Sequence, residues 1–399
     1  MDRVNSALLN MLSSSINCSP STYVKLEPQE WQQLYEEAIA HQINLLIFEE
    51  ANKYGRLVNP VLFEKWKGLV IYQILENYRK FSIIGELFKS FEKANIPVMV
   101  LKGLFIKYLY HKPELRTMGD VDILIRRDSL DEVIGIIKSF GYGKTAKDDP
   151  KHFSFYHEQY ITIELHVSLV TESRRKLAKS LNNDIWESPI YYKADDITFL
   201  VPNDINHLLY CCIHMTNHFG KGGFGLRQLS DFNLLAKKLG KDTDWDKIIE
   251  RAYSYGIGKF MKAMLYVCHD LFSLEIPDHI KKEFEDDMSH IEILIRSILD
   301  AGVFGNKNLK VANDRVLATY IHHNRNNNIR SFKYLFPPRN QLGINYSYAK
   351  RHAILLPLAW LHRLLRNSFR TDSKLKHRIP DTKSINEYVR LFKWLDIKW

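Results

Sequence analysis

Three acidic residues in two strand-like segments are the part of this sequence best suited to chemistry. Asp120 and Asp122 stand in the run Gly119-Asp-Val-Asp-Ile-Leu-Ile125, and Glu164 stands in the later run Ile161-Thr-Ile-Glu-Leu-His-Val167. Side chains at positions i and i+2 of a strand point to the same face of a sheet. Carboxylates that share a small patch repel one another unless a cation lies between them. The pattern therefore predicts a cation site made of Asp120, Asp122 and Glu164.

The ligand atoms of this site indicate both the ion and the reaction. Oxygen-only ligands favour a hard divalent cation, so we expect Mg²⁺, with Mn²⁺ as the second choice. Acidic centres of this kind serve phosphoryl and nucleotidyl transfer, in which two cations ~3.5–4 Å apart hold the attacking and leaving oxygens. A lone Asp-x-Asp more often lies in a solvated turn. Here, however, the carboxylates interrupt apolar strands, where burial without a partner is costly, and we interpret all three as metal-binding and catalytic residues.

A candidate phosphate-binding segment precedes the two aspartates. Lys102 and Gly103 stand where a strand-like run ends and a helix is predicted over Leu104–Tyr110. Glycine lets backbone N–H groups approach a phosphate, and a helix N-terminus favours negative charge. Arg116, four residues before Asp120, can bind phosphate oxygens with two parallel hydrogen bonds. We therefore assign Lys102, Gly103 and Arg116 to nucleotide binding; an ordinary surface lysine and a structural ion pair are the alternatives.

Three histidines and one aspartate are candidates for binding the acceptor, the molecule that would receive the transferred group. His166 lies two positions after the third carboxylate and so faces the same side, either near the phosphates or as a core histidine. His214 and His218 are four residues apart on one predicted helix face. That spacing can bind zinc, but it more often belongs to packed polar residues or to residues lining a pocket. Asp231 follows Arg227 by four positions, which favours a helix ion pair; a general base for an acceptor hydroxyl is the alternative.

Changes in periodicity along the chain predict a small α/β unit between helical regions. We divide the chain into an N-terminal helical region (1–95), a core (96–170), a helical lobe (171–305) and an irregular connection with a C-terminal helical tail (306–399). Short apolar or alternating runs predict strands in the core. The predicted strands are 97–102, 121–125, 153–157 and 160–169. Apolar residues at helical spacing predict helices over 129–140, 206–217, 226–239, 245–255, 259–271 and 286–299.

The composition is that of a globular protein with a basic surface. The chain has 399 residues, of which 45% are hydrophobic and 26% charged, and its formal net charge is +10. That charge favours a polyanionic partner, namely a nucleotide, a nucleic acid or an anionic membrane face. A generally basic surface without such a partner explains it equally well.

Targeting and redox features favour the cytoplasm. The four cysteines form no C-x-x-C pair, and the N-terminus lacks a basic segment followed by an apolar block, so we expect reduced thiols and no signal peptide. The longest apolar run, 353–361, is too short to span a bilayer. The basic segment 350–370 is expected to pack on the helical lobe; peripheral membrane contact is the less favoured alternative.

The motifs together resemble a known superfamily. The runs Leu101-Lys-Gly103, Leu115-Arg-Thr-Met-Gly-Asp-Val-Asp-Ile-Leu124 and Ile163-Glu-Leu-His166 are similar to the bacterial nucleotidyltransferase-like family of the DNA polymerase beta superfamily. Weaker similarity extends to 38–44, 214–218, 226–231, 301–305 and 335–338. The resemblance implies an α+β fold, in which a small polymerase-beta-like core with a mixed sheet is flanked by N-terminal and C-terminal helical regions. The superfamily's usual Gly-Ser dipeptide is Lys102-Gly103 here, so a serine contact to the triphosphate is missing or comes from another residue.

The same resemblance implies an activity. Asp120, Asp122 and Glu164 carry over as metal-binding and catalytic carboxylates, and Lys102-Gly103 occupies the phosphate-binding position. We expect transfer of a nucleoside monophosphate from a Mg²⁺-bound nucleoside triphosphate, with ATP the first choice, to a hydroxyl-bearing acceptor. The acceptor can be a small molecule, a peptide, a protein or a nucleic acid. Two alternatives stay open: a catalytically silent nucleotide-binding or scaffold protein, and a toxin-type nucleotidyltransferase that modifies RNA or protein.

Overall fold

A mixed seven-stranded sheet carries the acidic residues in the computed structural model. The structure describes residues 1–22, 24–145, 152–170, 179–194, 197–303, 305, 307–323, 339, 342, 346, 348–349, 352–360, 362 and 381–397. The weak motif at 335–338 and most of the basic segment 350–370 therefore lie outside the described residues.

The strands of this sheet follow the order β3-β4-β5-β2-β1-β7-β6. They are β1 (Met99–Val100), β2 (Asp120–Leu124), β3 (Gly143–Lys144), β4 (His152–Tyr156), β5 (Thr162–His166), β6 (Ile190–Ala194) and β7 (Ile197–Val201). Strands β2 and β5 are parallel, as are β1 and β7, and the remaining neighbours are antiparallel. The four predicted strands and the mixed sheet are confirmed.

The hairpin of β6 and β7 was not predicted, because it falls in the segment interpreted as a helical lobe. Strand β6 is an edge strand, and most of its side chains are exposed. A strand with both faces exposed to solvent has little of the period-two hydrophobic pattern that predicts a strand. This reason applies to β6 alone, because β7 is mostly buried and is an apolar run of the kind that predicts a strand. The segment 171–305, interpreted as a helical lobe, therefore contains a strand hairpin before its first long helix.

Seven helices precede or interleave with the strands in the described part of the N-terminal half. They are α1 (Arg3–Asn17), α2 (Pro28–Ala40), α3 (Phe48–Gly55), α4 (Pro60–Phe81), α5 (Ile84–Lys93), α6 (Leu130–Ser139) and α7 (Leu181–Asp184). Helix α5 packs on both β7 and α6. The helix predicted over Leu104–Tyr110 is instead a short 3-10 turn at Ile106–Leu109.

The C-terminal half is helical wherever it is described, apart from its connections. The helices are α8 (Asp204–Phe219), α9 (Leu226–Leu239), α10 (Trp245–Ser254), α11 (Gly258–Phe272), α12 (Asp278–Glu285), α13 (Met288–Ala301), α14 (Leu309–His323) and α15 (Thr382–Trp394). The predicted helices of this half are confirmed to within a few residues. The irregular connection predicted there is wrong over helix α14. Two polar residues of this helix, Asp314 and Arg315, are buried at positions that face the core, so the sequence lacks the continuous apolar stripe that predicts a helix.

One contiguous hydrophobic core joins all these parts. Buried apolar side chains run from Val4 in α1 to Ile397 after α15 and include residues of the sheet and of both helical regions. Trp31, Phe63 and Trp66 form an aromatic group within it, with edge-to-face and tilted ring contacts. None of the helices in the described part of the chain is both long enough and apolar enough to cross a membrane.

Candidate functional site

The parallel pairing of β2 and β5 brings the three carboxylates together. Asp122 lies opposite Glu164 and Asp120 opposite Thr162 in the register. One oxygen from each of Asp120, Asp122 and Glu164 lies within 4.8 Å of the others. The arrangement expected from the sequence is therefore present. Because these are hard oxygen donors converging on one point, the set fits a divalent cation.

The two aspartates differ in their electrostatic environment. Burial raises the pKa of Asp120, and the neighbouring charge of Asp122 raises it further. Burial also works against ionisation of Asp122, but the Lys102 ammonium and the hydrogen bond with His166 hold the pKa of that carboxyl below its usual range. Of the two aspartates, Asp122 is therefore the one that ionises more readily.

Lys102 brings a positive charge into the acidic group. Its Nζ lies 3.2 Å from Asp122 Oδ2 and 3.0 Å from His214 Nε2. Burial opposes the charge of this lysine, but the attraction of Asp122 and Asp120 raises its pKa above the ordinary value. Lys102 thus stands in the site as an ammonium ion and is not an ordinary surface lysine.

Gly103 follows in a conformation that suits glycine. Its φ is +35°, and a Cβ added there would lie 3.0 Å from Met118 Cε. The segment after it continues as the 3-10 turn Ile106–Leu109. A turn of this length has little of the macrodipole of an α-helix. The α-helix N-terminus expected at Lys102-Gly103 is therefore absent from this described segment.

Arg116 and Asp231 bind each other. Arg116 donates from Nε to Asp231 Oδ1 at 2.8 Å and from Nη2 to Asp231 Oδ2 at 2.6 Å. The hydroxyl of Tyr110 also donates to Asp231 Oδ1, at 2.8 Å. This corrects two expectations: Asp231 pairs with Arg116 and not with Arg227, and the donors that Arg116 would offer to a phosphate are used in this arrangement. With both oxygens taken, Asp231 is also poorly placed to act as a general base.

Arg227, which the sequence did not single out as a ligand, lies at the cleft instead. It donates from Nη1 to the side chain of Gln42 and to the backbone oxygen of Thr117, the latter at 3.2 Å. Burial and the nearby charge of Arg116 lower its pKa to about 10. Arg227 remains positive at neutral pH, because that value is still well above 7.

Histidines surround the carboxylates on two sides. His166 Nε2 lies 3.0 Å from Asp122 Oδ1, so this residue does face the acidic group. His152 Nε2 lies 3.1 Å from Glu164 Oε2, a contact that the sequence did not predict because it depends on the β4–β5 register. On the other side, His218 Nε2 lies 3.2 Å from His214 Nε2.

These groups line one cleft of about 290 Å³ between the sheet and helices α8 and α9. Its walls include the three carboxylates, Lys102, Gly103, Arg116, His214, His218, Arg227 and Asp231. The cleft therefore contains almost every residue predicted for the site. His166 contacts Asp122, which lines the cleft. A divalent ion on the carboxylates and an anionic group near Lys102 and Arg227 are what this charge distribution can bind.

Comparison with known proteins gives a family. The family model described as "Uncharacterised nucleotidyltransferase" matches residues 27–273. No curated protein sequence matches the chain. Among solved structures, the solution structure of the antibiotic-resistance factor ANT(2'')-Ia is 10% identical, with a TM-score of 0.34, and the match covers 44% of this chain and 89% of that one.

A crystal structure of ANT(2'')-Ia in complex with adenylyl-2''-tobramycin is 11% identical, again with a TM-score of 0.34, and the match covers 44% of this chain and 95% of that one. The family model, by contrast, covers more than half of the chain and includes the whole sheet, the acidic group and helices α8 and α9. The chain belongs to this family of nucleotidyltransferases.

Proposed function

We propose that the cleft transfers a nucleoside monophosphate from a Mg²⁺-bound nucleoside triphosphate, with ATP the first choice, to a hydroxyl-bearing acceptor. The observation that carries this proposal is the convergence of one oxygen from each of Asp120, Asp122 and Glu164 to within 4.8 Å. In the reaction a bond forms between the acceptor oxygen and the α-phosphorus. The bond from that phosphorus to pyrophosphate breaks, and the hydroxyl proton passes to solvent water.

The residues of the cleft divide this task. Asp120, Asp122 and Glu164 hold the metal, and Mn²⁺ is a second choice for the same ligands. When bound, the ion offsets negative charge on the phosphates and lowers the pKa of the acceptor hydroxyl. Lys102 and Arg227 attract the triphosphate, because both are cations at neutral pH facing the same cleft.

The acceptor side lies towards α8 and α9. His214 and His218 line it directly, and burial together with the Lys102 charge keeps the pKa of His214 well below its usual value. A neutral imidazole can accept or donate a hydrogen bond to an acceptor hydroxyl. Asp231 contributes indirectly by fixing Arg116, and His166 by orienting Asp122.

A silent nucleotide-binding module is the second candidate, and one observation favours it. The Lys102 ammonium already binds Asp122 and so neutralises part of the charge that would attract a metal. A protein of this kind would bind a triphosphate without turning it over.

The test separates the two candidates. Purified protein is mixed with Mg²⁺ and each triphosphate labelled at the α-phosphate, with and without a panel of acceptors, and both pyrophosphate release and labelled products are measured. We expect release that falls on the order of 10²-fold or more in Asp122→Asn. The matched control is Asp242→Asn, an exposed carboxylate outside the cleft. Metal-dependent binding without turnover across the panel would instead support the silent module.

A further inference from the structure

We propose that the metal ion on the Glu164 side of the acidic group is a nitrogen-ligated transition ion of the Mn²⁺ or Zn²⁺ class, held by His152, Glu164 and His166. This inference shares its site with the proposed function and deepens it. It differs from the all-oxygen Mg²⁺ centre expected from the sequence, because two imidazoles enter the ligand set.

The donor atoms are spaced for one ion. His152 Nε2 lies 3.1 Å from Glu164 Oε2, and His166 Nε2 lies 3.9 Å from that same oxygen. Donors bound at ~2.0–2.2 Å to one ion stand about 3–3.6 Å apart at ligand angles of 90–109°. The three donors lie within 4.8 Å of one another, so small side-chain rotations bring all of them to bonding distance.

Asp122 offers a fourth donor. Its Oδ1 lies 3.0 Å from His166 Nε2, while its other oxygen faces Lys102. Asp122 and Glu164 therefore stand between two neighbouring subsites. On one side Asp120 gives an all-oxygen subsite suited to a Mg²⁺-bound triphosphate, and on the other the histidines give a mixed nitrogen and oxygen subsite.

Backbone pairing holds the mixed subsite in place. In the antiparallel β4–β5 pair, His152 lies opposite His166. Glu164 precedes His166 by two residues and so shares its face. The two imidazole rings stack with centroids 4.6 Å apart. Donors carried on paired strands are positioned more rigidly than donors on loops.

Exposure separates these histidines from packed core residues. The side chains of His152 and Glu164 are 33% and 27% exposed, and that of His166 is 16% exposed. Glu164 also lines the cleft, and the Nε2 atom of His152 is itself buried beside it, as a ligand of an enclosed ion would be. Imidazole nitrogen is a borderline ligand that suits Zn²⁺ and other transition ions better than Mg²⁺, which prefers oxygen donors and water.

The experiment uses Mn²⁺ alone, without nucleotide. One equivalent is added to the full-length protein, and pulsed electron paramagnetic resonance records whether ¹⁴N nuclei couple to the ion; titration of the same sample gives the Kd. We expect ¹⁴N coupling in the wild type. In His152→Asn we expect weaker coupling and a Kd raised at least tenfold. In His111→Asn, an exposed histidine outside the cleft, both should be unchanged.

His166→Asn is measured in parallel, and circular dichroism of the metal-free variants verifies folding. Absence of ¹⁴N coupling in the wild type, or an unchanged Kd in His152→Asn, overturns the proposal. The readout does not depend on turnover. A protein that binds Mn²⁺ through nitrogen but transfers nothing contradicts the proposed function alone, whereas a protein that transfers with Mg²⁺ and shows no ¹⁴N coupling contradicts this inference alone.

Discussion

At the scale of single residues, Lys102 is the group that offsets the negative charge of this acidic site. A buried cluster of carboxylates is unfavourable by itself, because like charges repel and each loses hydration. The Lys102 ammonium, 3.2 Å from Asp122 Oδ2, offsets part of that cost. The Lys102 ammonium and a bound divalent cation would therefore both stabilise the ionised Asp122 carboxylate. Removal of either one should destabilise the protein more when the other is absent.

Lys102→Met tests this relation. We expect the metal-free variant to lose about 3–5 kcal/mol of unfolding free energy, because it leaves Asp122 buried without its partner. Saturating Mg²⁺ should restore more stability in the variant than it adds to the wild type, since the ion replaces the missing charge. Urea unfolding with EDTA and with Mg²⁺ measures both effects.

Lys67→Met is the matched control, because Lys67 is an exposed lysine on α4. It should change unfolding free energy by no more than about 0.5 kcal/mol with or without Mg²⁺. Equal Mg²⁺ stabilisation of wild type and Lys102→Met would show that the ammonium does not balance the charge of the site.

Only part of the residue-level site could be read from the sequence. Asp120, Asp122 and Glu164 were identifiable because two-residue spacing on apolar strands fixes a face without any knowledge of the fold. The contact of His152 with Glu164 could not be identified in this way, since it depends on the strand register. The pairing of Arg116 with Asp231 joins positions 115 apart, and no local pattern predicts such a contact.

At the scale of elements, the Arg116–Asp231 pair joins the turns that follow β1 to helix α9. Tyr110 ends the first 3-10 turn, Arg116 ends the second, and both bind the same carboxylate. Because both partners are almost fully buried, loss of one leaves an uncompensated charge in the interior. We therefore assign this group to positioning the cleft wall and not to proton transfer.

Asp231→Ala distinguishes the two roles. We expect a loss of about 3–5 kcal/mol of unfolding free energy in urea, whereas Tyr110→Phe, which removes one neutral donor, should lose about 1 kcal/mol. The double variant Arg116→Met, Asp231→Leu should recover part of the loss because no unpaired charge remains. If Asp231→Ala instead kept its stability and lost only turnover, with a changed pH–rate profile, a direct role in proton transfer would be supported.

The elements themselves were predictable to an uneven degree. Helices α9 and α10 were predicted to within a residue because both have apolar residues at helical spacing and the polar run 241–244 separates them. Helix α14 was missed since Asp314 and Arg315 occupy core positions. Arg315 Nη2 donates there to the backbone and side-chain oxygens of Ser297, a tertiary partner that no local pattern predicts. A helix cannot be recognised from the spacing of its apolar residues when its buried face contains polar residues that form hydrogen bonds.

At the scale of the whole molecule, one buried histidine connects distant parts of the chain. His41 follows α2, accepts a hydrogen bond at Nδ1 from Leu226 N at 3.1 Å, and donates from Nε2 to Leu299 O at 3.1 Å. The N-terminal region is thereby joined to the start of α9 and the end of α13. Both ring nitrogens are satisfied only in the neutral form, since a proton on Nδ1 would face the Leu226 N–H.

This arrangement predicts a specific pH dependence of stability. Burial, aided by the charge of Lys307, lowers the pKa of His41 to about 3 in the folded protein, whereas an unfolded histidine has a pKa of about 6.5. Below pH 6.5 the unfolded chain therefore binds a proton that the folded protein excludes. The contribution of His41 to stability is complete above that pH and is lost as the pH falls towards 3, at up to about 1.4 kcal/mol per pH unit.

Replacement of His41 isolates this contribution from all other titrating groups. We expect His41→Gln to lower unfolding free energy by about 1–3 kcal/mol at pH 7.5, where buried backbone groups lose good partners. The difference between wild type and variant should shrink at pH 5.5 and again at pH 4.5, as measured by urea unfolding. His111→Gln, at an exposed position, is the matched control and should change the unfolding free energy by no more than about 0.5 kcal/mol. A wild-type advantage over His41→Gln that stays constant across this range would mean that the ring accepts a proton in the fold, and that the Leu226 N–H to Nδ1 hydrogen bond does not hold the N-terminal region against α9.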